Sequence, residues 1–239
     1  MVRERNSAQR LAAQRDPTLP PTRELERGLC RILRPDAEMR KILGCARRGE
    51  RPVCPGAGCS LYELLASCTK PLELEIGSGL GRFILARAKN NPDVHFIGLE
   101  QEAVRVARID VATRLAGILN LSLVCAEAMA VLEFCLLERS IRAVYLFFPD
   151  PWPKARHEKN RIFQKAFIDH IYRVLQDGGY LHVATDHDQY FSNMKEVMVD
   201  ETRFEEVEPL VRTEEELTDF ELKFLAKNKR ANAASWRKI

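Results

Sequence analysis

No stretch of about 18 consecutive apolar residues occurs in this chain of 239 residues, so no membrane-spanning helix and no membrane partner are expected. The Arg-rich beginning has no apolar leader core, and a cytoplasmic location is the expectation. The seven cysteines include no Cys-x-x-Cys pair, and their odd number and scatter suit reduced thiols. Cys45, Cys54, Cys59 and Cys68 fall close together, but at intervals of nine, five and nine. Zinc ribbons and fingers need shorter paired spacings, so no metal is expected. Cys125 and Cys135 read as core residues, and no internal repeat is visible.

The charge is more uneven than its total. Lys and Arg number 37 against 34 Asp and Glu, a net +3. Residues 1–70 hold 14 basic and 8 acidic side chains, or +6, which leaves −3 for the remainder. The head, residues 1–55, has little periodicity and reads as a basic, partly flexible arm. The folded domain is then 56–239. Basic residues recur at 154–161 and after Glu221, where Lys223, Lys227, Lys229, Arg230, Arg237 and Lys238 meet no acidic residue. Three basic zones favour a polyanionic partner over a small neutral one.

From residue 71 the chain alternates strand and helix patterns. Strands are expected over Leu72–Ile76, Val94–Leu99, Leu121–Cys125, Arg142–Phe148, Tyr180–Thr185 and Phe204–Leu210. Between them, helical spacing covers Phe83–Lys89, Ala103–Leu119, Ala128–Glu138, Ile162–Leu175 and Tyr190–Val199. Asp177-Gly178-Gly179 reads as a helix stop. This rhythm implies an α/β fold with a doubly wound, mostly parallel sheet flanked by helices.

The most telling segment is 144–161. An apolar run, Val144 to Phe148, ends in Pro149-Asp150-Pro151-Trp152-Pro153, and a basic stretch follows. Three prolines restrict the backbone, so Asp150 is aimed by a stiff loop at the end of a buried strand. Trp152 can stack on a base or simply prop that loop. Lys154 and Arg156 suit phosphates or a purine carbonyl, and His157 is given no catalytic role.

Gly77, Gly79 and Gly81 follow a strand and open a helix, where backbone can approach a ligand. A dinucleotide fingerprint would place its last glycine at 82, which is Arg. A nicotinamide cofactor is therefore disfavoured. Three carboxylates sit at strand ends: Glu75, Glu100 and Glu127. Glu100 is placed to accept ribose hydroxyls, Glu127 an adenine amino group, and Glu75 would repel pyrophosphate but tolerate an ammonium or sulfonium. Thr218 and Glu221 stand as N-cap and N3 of a capping box.

This pattern resembles the Rossmann-like class I S-adenosyl-L-methionine-dependent methyltransferases, whose sheet is seven-stranded. Leu-Glu-Ile-Gly-Ser-Gly-Leu-Gly (74–81), Phe-Ile-Gly-Leu-Glu (96–100), Leu-Phe-Phe-Pro-Asp-Pro-Trp-Pro-Lys-Ala-Arg-His (146–157), Arg-Ile (161–162), Ala-Thr-Asp (184–186) and Thr-Asp-Phe-Glu (218–221) narrow the resemblance. In this order they are similar to the bacterial tRNA (guanine-N7-)-methyltransferases, the TrmB-like family, over residues 71–230. The resemblance implies S-adenosyl-L-methionine contacts from Glu75, Glu100, Glu127 and Asp150, together with the glycine turn. It implies tRNA guanosine contacts from Lys154, Asp186 and Thr218, Asp219, Phe220 and Glu221. Asp219 and Asn228 depart from the family's usual Lys or Glu and Gly.

The implied reaction is methyl transfer to N7 of a tRNA guanosine, expected in the variable loop. N7 carries a lone pair and no proton, so direct attack needs placement and no general base. Asp150 and Asp186 are the candidates to accept from the ring's N–H groups as positive charge develops. Methylation of another RNA or nucleobase position, or a non-catalytic tRNA-binding role, are the alternatives. A monomer and a homodimer are both compatible with the sequence.

Overall fold

The computed structural model describes residues 31–33, 60–227 and 229–239. Most of the head, with Cys45, Cys54 and Cys59, and Asn228 lie outside the described residues. Among the described residues eight strands form one sheet: β1 (Arg31–Leu33), β2 (Leu72–Ile76), β3 (His95–Glu100), β4 (Leu121–Cys125), β5 (Ile141–Phe147), β6 (Leu175–Thr185), β7 (Phe204–Val207) and β8 (Asn232–Lys238). Their order is β1-β4-β3-β2-β5-β6-β8-β7. All neighbours are parallel except β8, which runs antiparallel to β6 and β7. The six strands read from the pattern are present, β8 supplies the seventh that the resemblance implies, and β1, from the segment read as an arm, adds an eighth against β4.

Among the described residues seven α-helices accompany the sheet: α1 (Ser60–Ser67), α2 (Arg82–Asn90), α3 (Ala103–Leu115), α4 (Ala128–Phe134), α5 (Lys165–Val174), α6 (Asp188–Val199) and α7 (Asp219–Leu225). Alternation of side chains along the strands divides the core in two. Leu72, Leu74 and Ile76 of β2 share one face with Phe167, Ile168 and Ile171 of α5. Phe83 and Ile84 of α2 and Ile109 of α3 cover the other face, against Tyr145 and Phe147. On α5 the buried positions Phe167, Ile168, Ile171 and Val174 follow the helical repeat, so one stripe meets the sheet.

Boundaries differ from expectation where a local signal was read too far. The helix expected to reach Leu119 stops at Leu115, because Gly117 turns left-handed at φ 64° and Ile118 N–H donates to Thr113 O. The helix expected to reach Glu138 ends at Phe134. Asp177-Gly178-Gly179 is no helix stop. α5 has already ended at Val174, and the pairing jumps from Leu175 opposite Ile141 to Tyr180 opposite Ala143, so 176–179 bulge from β6. β7 ends at Val207, short of Leu210.

β8 corrects the reading of the C-terminal basic zone. Lys238 is buried, donating to Tyr172 O and Leu175 O at 2.8 and 2.7 Å, and Arg237 pairs with Glu205 at 2.7 Å. Lys238 is spent inside the fold, and Arg237 is engaged in an ion pair at its surface.

Topology positions the site. From β2 the chain moves through β3 to β4 on one side, then returns to β5 on the other side of β2. Adjacent strands lie about 5 Å apart, so the loops leaving β2 and β5 open side by side at the carboxyl end of the sheet.

Candidate active site

β2 presents Glu73 and Glu75 on one face, and the two have opposite fates. Glu73 accepts from the Tyr145 hydroxyl at 2.6 Å and from Arg142 Nε at 3.0 Å, with Arg87 at 3.7 Å. Burial, foremost, and the Glu73 charge raise the Tyr145 pKa, so its phenol stays a donor. Glu75 is 4% exposed, and its Oε2 has no hydrogen-bond partner. Burial, with Glu100 adding and Ser78 and Arg212 opposing, pushes its pKa up to about 7. A carboxyl group sealed beneath a cleft and unsatisfied there is a site waiting for a donor.

The turn above Glu75 is built around its glycines. Gly77 N–H donates to Leu99 O at 2.7 Å, and Gly81 N–H to Ser78 O at 2.8 Å. A Cβ on Gly77 (φ 79°) would meet no atom within 4 Å, and one on Gly79 only Gly77 O at 3.9 Å, so both face open space. Gly81 was expected to admit a ligand, and the structure gives it another task. Its Cβ would stand 2.7 Å from Ile109 Cγ1, so it allows α2 to pack on α3.

Glu100, 5% exposed, ties the turn to its strand. It accepts Gly79 N–H on Oε2 and Glu102 N–H on Oε1, both at 2.9 Å, with Arg105 at 3.7 Å. Glu127 caps α4, accepting from Met129 N–H and Ala130 N–H at 2.9 Å each. Each carboxylate oxygen retains a further lone pair for a ligand.

A cleft of about 800 Å³ joins these groups to the loop after β5. Glu75, Gly77, Gly79, Glu100 and Glu127 line one part, Asp150 and Trp152 another, and Thr218, Asp219 and Phe220 the far rim. The cleft thus contains Asp150 and the glycine turn together. Among the described residues no hydrogen bond or ion pair engages the Asp150 or Asp219 carboxylate.

Arg161 braces the proline-rich loop from beneath. This buried guanidinium donates to Pro151 O at 2.8 Å and Asn193 Oδ1 at 2.9 Å, and stacks over Tyr190 at 5.1 Å. Sequence reading had counted it with the surface basic stretch. Its distinguishing signals were the Arg-Ile pair at 161–162 and the apolar context that begins there.

Two residues of the loop hold left-handed backbone despite bulky side chains: Phe148 at φ 52° and Trp152 at φ 42°. Each costs on the order of 1–3 kcal/mol, and such strain gathers at functional sites. Trp152 stands edge-on to His157, ring centroids 5.7 Å apart. Phe148 lies nearly parallel to Phe220, at 6.0 Å and 13°.

Three expected substrate contacts are not brought to the cleft wall: Lys154, Asp186 and Glu221. Lys154 and Asp186 are exposed beyond its edge. Glu221 is buried behind the rim, accepting from Thr218 N–H at 3.0 Å in the expected capping box. It also accepts from both Nη atoms of Arg212, one at 2.6 Å, while Arg212 stacks on Phe147 at 4.3 Å. Arg82 Nε donates to Leu217 O at 2.9 Å, completing the attachment of the rim to α2. The structural role of Arg82 was not readable because Leu217 lies 135 residues away, and Arg212 was missed although Glu221 stands nine residues on.

Residues 69–234 match a family model described as "Putative methyltransferase". A tRNA (guanine-N(7)-)-methyltransferase of Cronobacter sakazakii is 42% identical over 139 residues, 58% of each chain. One of Chromohalobacter salexigens is 37% identical over 164 residues, 66% of this chain and 67% of that protein. The chain thus matches between about half and two thirds of the length of such relatives. Among solved structures, the 16S rRNA methyltransferase KamB superposes with a TM-score of 0.57 at 15% identity, over 74% of this chain and 92% of that one. TrmN from Thermus thermophilus gives 0.52 at 13%, over 75% and 47%. At that identity they share the fold alone. With the family model spanning most of the length and the glycine turn facing the Pro-Asp-Pro loop, the chain belongs to this methyltransferase family.

Proposed function

We propose that this chain transfers the methyl group of S-adenosyl-L-methionine to N7 of a guanosine in the variable loop of tRNA. One observation carries the reading. The buried Glu75, whose Oε2 has no partner among the described residues, and the open Gly77–Gly79 turn share a single cleft with Asp150. The residues fit the cofactor: Glu75 Oε2 lacks a donor that an ammonium would supply, Glu100 and Glu127 keep lone pairs for hydroxyl and amino groups, and the turn leaves room for its chain. When bound, S-adenosyl-L-methionine supplies an electrophilic methyl group.

The remaining work falls to positioning. N7 offers its lone pair without deprotonation, so the cleft must hold the base in line and exclude water. Such orientation supplies about 7–11 kcal/mol of the barrier in favourable cases. Asp150, unengaged and at the cleft wall, accepts from the guanine N–H groups as the ring turns cationic, which is worth about 10²–10³ in rate for one such group. Thr218, Asp219 and Phe220 form the rim that meets the nucleoside. Glu221 acts from behind by capping that rim. Lys154 and Asp186, off the cleft, contact the RNA around the target nucleotide. The basic head, residues 1–55, adds phosphate contacts beyond the domain 56–239, apart from β1, which belongs to the sheet.

Incubation with labelled cofactor and unmodified tRNA, followed by nucleoside analysis, tests the reading. Label in 7-methylguanosine is expected; label elsewhere in the RNA, or only on protein, refutes it.

A further inference from the structure

We infer that Phe148 and Phe220 form the two plates of a slot that grips the target purine and favours it in its cationic, methylated form. The inference rests on the function proposed above and extends it to the source of base selectivity.

Three independent features converge on this pair. The rings are nearly parallel, 13° apart, with centroids at 6.0 Å. Both line the cleft that holds Asp150. Phe148 is held at φ 52° while its N–H donates to Ala184 O at 2.7 Å, so a strained backbone is locked to fix where this ring sits. Phe220, by contrast, is 56% exposed, a large aromatic left in solvent on the seven-residue helix α7.

The geometry identifies the occupant. Stacked aromatic groups sit about 3.5 Å apart, so a base between two rings needs roughly 7 Å. The slot, with ring centroids 6.0 Å apart, must therefore open to admit the base, and the exposed Phe220 is the plate free to yield. A flat heteroaromatic ring fits; an aliphatic chain gains little from parallel plates.

The chemistry explains why two phenyl faces serve. As the new N7–carbon bond forms, the carbon–sulfur bond breaks, its electron pair stays on sulfur, and the positive charge passes to the purine. No proton leaves. Aromatic faces are negative, so a cationic ring between them is held more tightly than a neutral one. Trp152 does not offer this, standing at 89° against His157.

The test compares binding of 7-methylguanosine 5′-monophosphate and guanosine 5′-monophosphate to the full chain, by calorimetry in the presence of S-adenosylhomocysteine. The wild-type protein is expected to prefer the methylated nucleotide about tenfold. Phe220→Leu, at an exposed position, is expected to fold normally, to bring the two affinities within about twofold, and to lower kcat about tenfold with KM for tRNA little changed, since phosphate contacts dominate RNA affinity. Phe220→Tyr should retain the preference. Equal affinities in the wild type, including no measurable binding of either, overturn the slot, as does a Phe220→Leu protein that keeps both preference and kcat. These results fall separately from the parent reading, which fails only if the wild type makes no 7-methylguanosine in tRNA.

Discussion

Glu75→Gln isolates the one carboxyl group that, among the described residues, burial has left unsatisfied. In the folded chain its pKa rises from 4.5 to about 7, a displacement of roughly 2.5 pH units, equivalent to ~3 kcal/mol. The folded state therefore holds this proton more tightly than the unfolded chain does. Stability from Glu75 is complete below pH 4.5 and is lost as pH rises through 7.

His182 acts in the opposite sense. Burial first, then Arg87 and Arg212, lower its pKa from 6.5 to about 4, so its contribution is lost as pH falls through that window. The two slopes oppose one another between pH 4.5 and 6.5, and the wild-type profile alone conceals both. The difference between variant and wild type removes His182 from the comparison.

Gln is neutral at every pH and nearly the shape of protonated Glu. Urea unfolding from pH 4 to 8.5 should give equal stabilities at the acid end and an advantage for Glu75→Gln approaching ~3 kcal/mol above pH 7. In the same range S-adenosyl-L-methionine should bind the wild type more tightly as pH rises, because its ammonium meets a carboxylate, while the variant stays flat and weak. Parallel stability curves for the two proteins would refute the assignment of Glu75 as the strained, cation-seeking group.

Asp150→Ala should lower kcat by about 10²–10³ while tRNA affinity, measured by filter binding, stays within a few-fold. Gly81→Ala forces a Cβ against Ile109 at φ 85° and should cost about 2–3 kcal/mol in urea unfolding, partly relieved by Ile109→Ala. Gly79→Ala, facing open space, should cost about 1 kcal/mol of stability yet weaken cofactor binding in calorimetry. Deleting residues 1–30, which spares β1, should leave cofactor affinity intact, weaken tRNA binding, and flatten its dependence on salt; unchanged tRNA binding would show that part of the head to be idle.

Strand and helix alternation from residue 71, the glycine turn and the Pro-Asp-Pro loop were legible because their signals are local. The period of two in Leu72–Ile76, the helical stripe of α5, the capping box of Thr218 and Glu221 and the prolines around Asp150 each lie within a few residues. β8 was not legible: Asn232–Lys238 has small and basic residues and becomes a strand because β6 and β7 offer it partners on both sides. Lys238 likewise reads as a surface cation until its neighbours enclose it.

The site divides along the same line. Chemical types and loop stiffness, and so the acidic and glycine-rich character of the cleft, are written in the chain itself, since they follow from residue identity and backbone restriction. Which carboxylate is satisfied is a matter of tertiary structure. Glu73 and Glu75 share a strand, a face and a side chain, yet Arg142 and Tyr145 arrive beside one and a cleft opens above the other. Desolvation and pairing depend on what the fold brings within a few ångströms, and spacing along the chain carries no record of it.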